Sequence, residues 1–229
     1  FNQARAPAAA GQSVVRRIAS DIREGLAFLW RQRLVRTMTL VGFGNSFSAG
    51  AVVGLTVVYA VRALGLAQSD ARIGLLFTAT AVGGLAASLL LPLLTRRYAV
   101  GTITLAGLIV HGLLLVALAL APTLWAGVLV IGLWQLCNSL IIINGIALRQ
   151  QVTPDHLQAR VNTTARMVAW GGQPFGAAAG GLLAELFDVR TALLLVAIGV
   201  AASAVYGWFS PLREPIEPAA AEPTPEASR

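Results

Sequence analysis

Residues 101–121 read GTITLAGLIVHGLLLVALALA, a run without a single charged side chain. A helix rises about 1.5 Å per residue, so about 20 apolar residues cross the ~30 Å hydrocarbon core of a bilayer. Working outward, segments 39–61, 73–94, 124–148, 161–184 and 191–210 have the same character. None of the six contains Asp, Glu or Lys, and Arg166 is the only full charge inside one. A helix on the surface of a soluble protein keeps a polar stripe toward water, and these segments keep none. Lipid offers the backbone no hydrogen bonds, so a spanning segment must pair its own. The expected fold class is an all-α membrane protein with six transmembrane helices.

Composition supports the bilayer as solvent. The 229 residues are 56% hydrophobic and 12% charged, with a mean hydropathy of +0.72, whereas soluble domains carry about 25% charge. The net charge of +7 comes from 17 basic residues, all arginine. They are scattered through the breaks between segments rather than gathered on one face beside aromatics, which argues against a nucleic-acid partner. Cys137 is the single cysteine, so no disulfide or cysteine-based metal cluster forms within the chain. His111 has no second His or carboxylate at ligand spacing and reads as an interhelical hydrogen-bond partner, while His156 falls in a break. No HExxH, CxxC, GxSxG or P-loop lysine is present. The chain is therefore expected to be neither an enzyme nor a holder of metal or cofactor.

The arginines set the orientation. One side of the bundle collects Arg16, Arg17, Arg23, Arg31, Arg33, Arg36, Arg96, Arg97, Arg149, Arg160 and Arg213. The other collects Arg62, Arg72 and Arg190. The richer side is expected to be cytoplasmic, with both termini inside. Before the first segment, Val15, Ile18, Ile22, Leu26 and Leu29 recur at helical spacing among charges. That pattern predicts an amphipathic helix over 13–36, lying on the headgroup layer or packed on the span ends. Residues 1–12 read as loose, 37–211 as the transmembrane domain, and the Pro-, Glu- and Ala-rich 212–229 as a disordered tail. The chain opens Phe1-Asn2-Gln3 without Met, and the expectation is that residues preceding Phe1 belong to the protein.

Polar residues inside spans are costly unless they face a partner or a wet cavity. Asn45, Ser46 and Ser48 cluster in the first segment. Gln135, Asn138 and Ile142 share a face of the fourth, and Arg166, Trp170 and Gln173 share a face of the fifth. Asn45, Gln135, Asn138, Arg166, Trp170 and Gln173 are the candidates for lining a transport cavity. The alternative is interhelical glue, worth about 0.6–2 kcal/mol per contact, and spacing alone leaves both open. Gly172, Gly176 and Gly180 form a GxxxGxxxG run beside Pro174, and Gly50 with Gly54 repeats the spacing in the first segment. These read as close-packing positions, with Pro174 able to kink its helix.

Three stretches carry a family resemblance. Residues 149–162 read RQQVTPDHLQARVN, residues 171–181 read GGQPFGAAAGG, and residues 21–29 read DIREGLAFL. In this order, with FSPLR at 209–213, they resemble the second half of major facilitator superfamily exporters, specifically the macrolide-efflux and enterobactin-exporter-like branch. The likeness covers roughly residues 13–213. The superfamily's cytoplasmic loop motif survives only as LTRR at 94–97, without its Asp and inner Gly. The Pro-Gly-rich run at 174–181 looks like an echo of the antiporter motif.

The resemblance implies that the six segments are one half of a twelve-span transporter, built as a 3+3 inverted repeat. It implies efflux of small amphiphilic compounds, drug-like or siderophore-like, by alternating access through the plasma membrane, with proton coupling as an option. Arg96, Arg97, Arg149 and Arg160 would gate or anchor the cytoplasmic face. The implied partners are the lipid bilayer, a small-molecule substrate, and a missing six-helix half or a second copy. No segment holds a carboxylate, so a proton-coupling acid would have to lie elsewhere. The competing reading is a non-transporting membrane scaffold or a degenerate half-transporter.

Overall fold

A computed structural model describes residues 14–213, apart from the side chains at 14, 15, 17, 18 and 156. The expected loose segment 1–12 and the tail beyond Arg213 lie outside the described residues. The chain forms α1 (Val14–Arg31), α2 (Arg33–Val58), α3 (Ile73–Thr95), α4 (Val100–Leu120), α5 (Leu124–Val152), α6 (Asp155–Trp170), α7 (Gly172–Leu186) and α8 (Val189–Trp208). A π-helical turn, Tyr59–Ala63, extends α2, and a 3-10 turn, Pro211–Arg213, follows α8. There is no strand among the described residues. Five helices are long and apolar enough to cross a membrane: Arg33–Ala63 (α2 with its π turn), α3, α4, α5 and α8.

Local chemistry explains where the elements begin and end. The expected linker helix over 13–36 stops earlier, because Gln32 takes an extended backbone and caps α2. Its Oε1 accepts from the backbone N–H groups of Leu34 at 2.8 Å and Val35 at 3.0 Å, satisfying two donors that a helix start leaves orphaned. The fifth apolar segment, expected as one span over 161–184, is divided at Gly171 into α6 and α7. Pro174 is the reason. It has no N–H to donate to the Trp170 carbonyl four residues back, and its ring crowds that same carbonyl. The stretch from Arg149 to Arg160, expected as a long loop, is almost entirely helical: α5 runs on to Val152 and α6 starts at Asp155. Leu212, placed by sequence at the start of the tail, is buried, and its carbonyl lies where a Cβ on Gly101 would fall.

The bundle is organised around α2, which packs on α5, α6, α7 and α8, while α4 packs on α5 and α8. The closest crossing is that of α2 with α7. A Cβ built on Gly176 would lie 1.8 Å from the Phe47 carbonyl oxygen, and one on Gly50 would lie 2.0 Å from that of Gln173. Any side chain at either position would force the two backbones apart. Small residues at an intramembrane crossing give dispersion contact and backbone proximity that lipid cannot replace. Leu55, Leu76, Leu108, Leu115, Ile131, Trp134 and Leu193 fill the main core beside this crossing.

On the arginine-poor side Arg190 ties three elements together. Its Nη1 donates to the Ala119 carbonyl at 2.6 Å, and its Nη2 donates to those of Ala121 and Ala63, each at 3.2 Å. These carbonyls end α4 and the π turn, where the helical ladder leaves acceptors unpaired. On the opposite side α1 packs on α6. Gly25 sits against the Arg160 carbonyl, Leu29 is buried with Val161 and Ala165, and Ile22, Leu26 and Trp30 remain exposed.

Candidate functional site

The polar residues of the spans separate into an inner set and a facing set. In the inner set, Asn45 Nδ2 donates to Asn138 Oδ1 at 2.8 Å, and both side chains are buried. Ser48 Oγ donates to the Asn45 carbonyl at 2.8 Å and lies 3.0 Å from His111 Nε2. Trp134 Nε1 donates to the same His111 nitrogen at 2.9 Å. An indole nitrogen can only donate, so Nε2 is the acceptor and the proton of the neutral ring sits on Nδ1. Asn144 Nδ2 donates to Thr104 Oγ1 at 2.9 Å and to the Val100 carbonyl at 2.7 Å. The Asn45–Asn138 bond joins α2 to α5, and the Trp134–His111 and Asn144–Thr104 bonds join α5 to α4.

The facing set lies on the flank formed by α2, α5 and the α6–α7 pair. Gln135 is half-buried and donates from Nε2 to Ser139 Oγ at 3.0 Å. Arg166, Trp170 and Gln173 are exposed. The Arg166 guanidinium carbon stands 4.5 Å from the centroid of the Trp170 ring, a cation–π geometry that holds both groups at the surface. Between these helices lies a cavity of about 20 Å3 lined by Gly42, Asn45, Ser46, Thr104, Gly145, Arg149, Ala169 and Trp170.

The four arginines expected at the cytoplasmic face fall into three environments. Arg96 and Arg97 are exposed at the end of α3. Arg160 joins α6 to α1: its Nε lies 3.0 Å from Asp21 Oδ1, and its Nη1 donates to Glu24 Oε2. Arg149 differs from all three. It is only 5% exposed, its Nε has no hydrogen-bond partner, and it borders the cavity with Asn45 and Trp170. Its position continues the Gln135, Asn138, Ile142 stripe by another two turns, so helical spacing alone could have joined it to the cavity candidates. The roles of Gln32 and Arg190 had no such signal, because each depends on partners that only the folded chain supplies.

Outside the spans, hydrogen bonds donated by the Arg72 side chain, then its backbone, hold the Asp70 carboxyl below the usual carboxylate range. Asp188 is lowered too, first by the side-chain hydrogen bond from Thr191 and then by the Thr191 and Arg190 backbones, as it caps α8. No group of three or more His, Cys, Asp or Glu able to hold a metal occurs among the described residues.

A helical bundle with long apolar spans and a polar, cationic flank defines a multi-pass membrane protein. The profile of the Major Facilitator Superfamily matches residues 10–229, and the chain belongs to that family of transporters. No curated protein sequence matches it. Among solved structures, a variant of the E. coli fucose:proton symporter FucP is similar at a TM-score of 0.67 and 18% identity, over 81% of this chain and 44% of that one. FucP in the outward conformation is similar at a TM-score of 0.67 and 18% identity, over 90% of this chain and 49% of that one. At this identity the likeness establishes the fold. The chain spans about half the length of the transporters it matches.

Proposed function

We propose that the chain is the C-terminal six-helix half of a twelve-span exporter that moves small amphiphilic compounds across the plasma membrane by alternating access. The observation that carries this reading is the flank with Gln135, Arg149, Arg166, Trp170 and Gln173. It bears polar and cationic groups among apolar helices, where lipid would penalise them and a second half or an aqueous path would not. In this reading the α6–α7 pair crosses as the sixth span, broken at Gly171, and the helices form a 3+3 inverted repeat about a midplane site. Both termini lie in the cytoplasm, following the arginine asymmetry. Arg160 anchors α1 there, with Arg96 and Arg97 beside the same surface. A proton-coupling acid belongs to the other half.

The inner set favours a second reading. Asn45 and Asn138 bond to each other inside the bundle, as they would in a scaffold that transports nothing. Accumulation of a fluorescent drug in cells carrying the full-length protein separates the two. Transport predicts lowered accumulation that an Arg166→Ala, Gln135→Ala double variant restores. A double variant that reaches the membrane in normal amount and effluxes at the wild-type rate removes these residues from the path. Accumulation equal to that of cells lacking the protein favours the scaffold.

A further inference from the structure

Arg149 is the one buried cation on the facing flank, and among the described residues no acidic side chain pairs with it. Six acidic residues fall among the described residues, and each is engaged elsewhere. Asp21 and Glu24 pair with Arg160, Asp70 with Arg72, and Glu185 with Arg62. Asp188 caps α8, and Asp155 accepts from Gln158. Arg166, a second cation on this flank, repels Arg149 rather than neutralising it. Its Nε is buried without a hydrogen-bond partner, and a cation drawn this far from water without an anion is costly.

The cavity beside Arg149 shows what could relieve that cost. Its volume of about 20 Å3 exceeds the ~10–15 Å3 that one water-sized group needs. Asn45, Ser46 and Thr104 line it on the polar side, and Trp170, which carries Arg166, lines it on the aromatic side. A planar guanidinium takes a carboxylate through paired N–H donors, and an aromatic wall takes a flat apolar body.

We propose that Arg149 anchors a binding site for monocarboxylates with an aromatic or apolar body. The carboxylate lies against the Arg149 guanidinium at the mouth of the small cavity, with Arg166 adding positive potential, and the body lies beside Trp170. This rests on the transporter reading and deepens it by naming the substrate class.

The test uses full-length protein in nanodiscs, with radiolabelled benzoate as the probe and benzamide as its neutral, isosteric competitor. A second pair, indole-3-acetate and its amide, repeats the comparison. The expected result is saturable carboxylate binding that the amides fail to displace. Arg149→Gln weakens it on the order of tenfold or more, the loss of charge-assisted hydrogen bonds, while Arg149→Lys retains most of it with the charge kept. Absence of carboxylate binding in the wild type, equal binding of acid and amide, or unchanged binding in a folded Arg149→Gln protein overturns the proposal. Binding is read without flux, so a protein that binds but does not export defeats the transport reading while leaving the site intact.

Discussion

Replacing Gly176 with alanine adds one methyl group at the tight crossing of α2 with α7. That methyl carbon would lie 1.8 Å from the Phe47 carbonyl oxygen, 2.6 Å from its carbonyl carbon and 3.0 Å from its Cα. Ordinary contact needs about 3.5 Å, and the obstructing atoms are backbone, so no side-chain rotation relieves the clash. Helix α7 must move off α2 by well over an ångström. Overpacking costs up to ~3 kcal/mol, and the better helix propensity of alanine returns ~1 kcal/mol, leaving a net loss of about 2 kcal/mol. For a chain of this size that corresponds to a melting temperature lower by about 4–8 °C. Gly181 lies in the same helix with nothing within 4 Å of its built Cβ. Gly181→Ala should therefore hold or raise stability, by up to ~1 kcal/mol. Thermal unfolding of the two purified variants in one detergent, followed by circular dichroism, makes the comparison. Equal melting temperatures would falsify the interdigitated α2–α7 crossing.

Two further outcomes follow from the same geometry. A double-mutant cycle on Asn45→Leu and Asn138→Leu should yield a coupling of about 0.6–2 kcal/mol in unfolding experiments, the range for intramembrane side-chain hydrogen bonds; strict additivity refutes the direct bond. Asp188 has its folded-state pKa depressed by Thr191 and Arg190, below an unfolded value of about 3.9. Its contribution is therefore complete above that value and lost as pH falls through the depressed one. The stability gap between wild type and Asp188→Asn should be constant from neutrality down to about pH 4 and shrink below it; a gap that widens in acid reverses the assignment.

Much of the bundle is legible in residue order. The run at 101–121 becomes α4 almost unchanged, because a charge-free stretch of that length has only lipid or a protein core for solvent. Small errors arose where hydropathy says nothing. Polar Arg149 and Gln150 looked like the end of a helix, yet α5 continues to Val152, since arginine and glutamine are good helix formers. The division at Gly171 was half visible: Pro174 announced a kink, and the break falls where its lost hydrogen bond leaves Trp170. The Gly172, Gly176, Gly180 run reads as close packing, while the residues it meets, Phe43, Phe47 and Ala51, belong to a helix far away in the chain.

The candidate site was less legible for a related reason. Helical spacing puts Asn45, Gln135, Asn138, Arg166, Trp170 and Gln173 on faces without saying what each face meets. The fold turns Asn45 and Asn138 toward each other, leaves Arg166 on Trp170 at the surface, and draws Arg149 into a cavity without an anion. By itself the sequence determined the solvent of this protein, because the cost of bringing charge and bare backbone into hydrocarbon is paid residue by residue. Only the tertiary structure decided which polar groups satisfy one another and which remain open to a ligand, because a hydrogen bond or an unmet charge depends on distances between helices that no single segment contains.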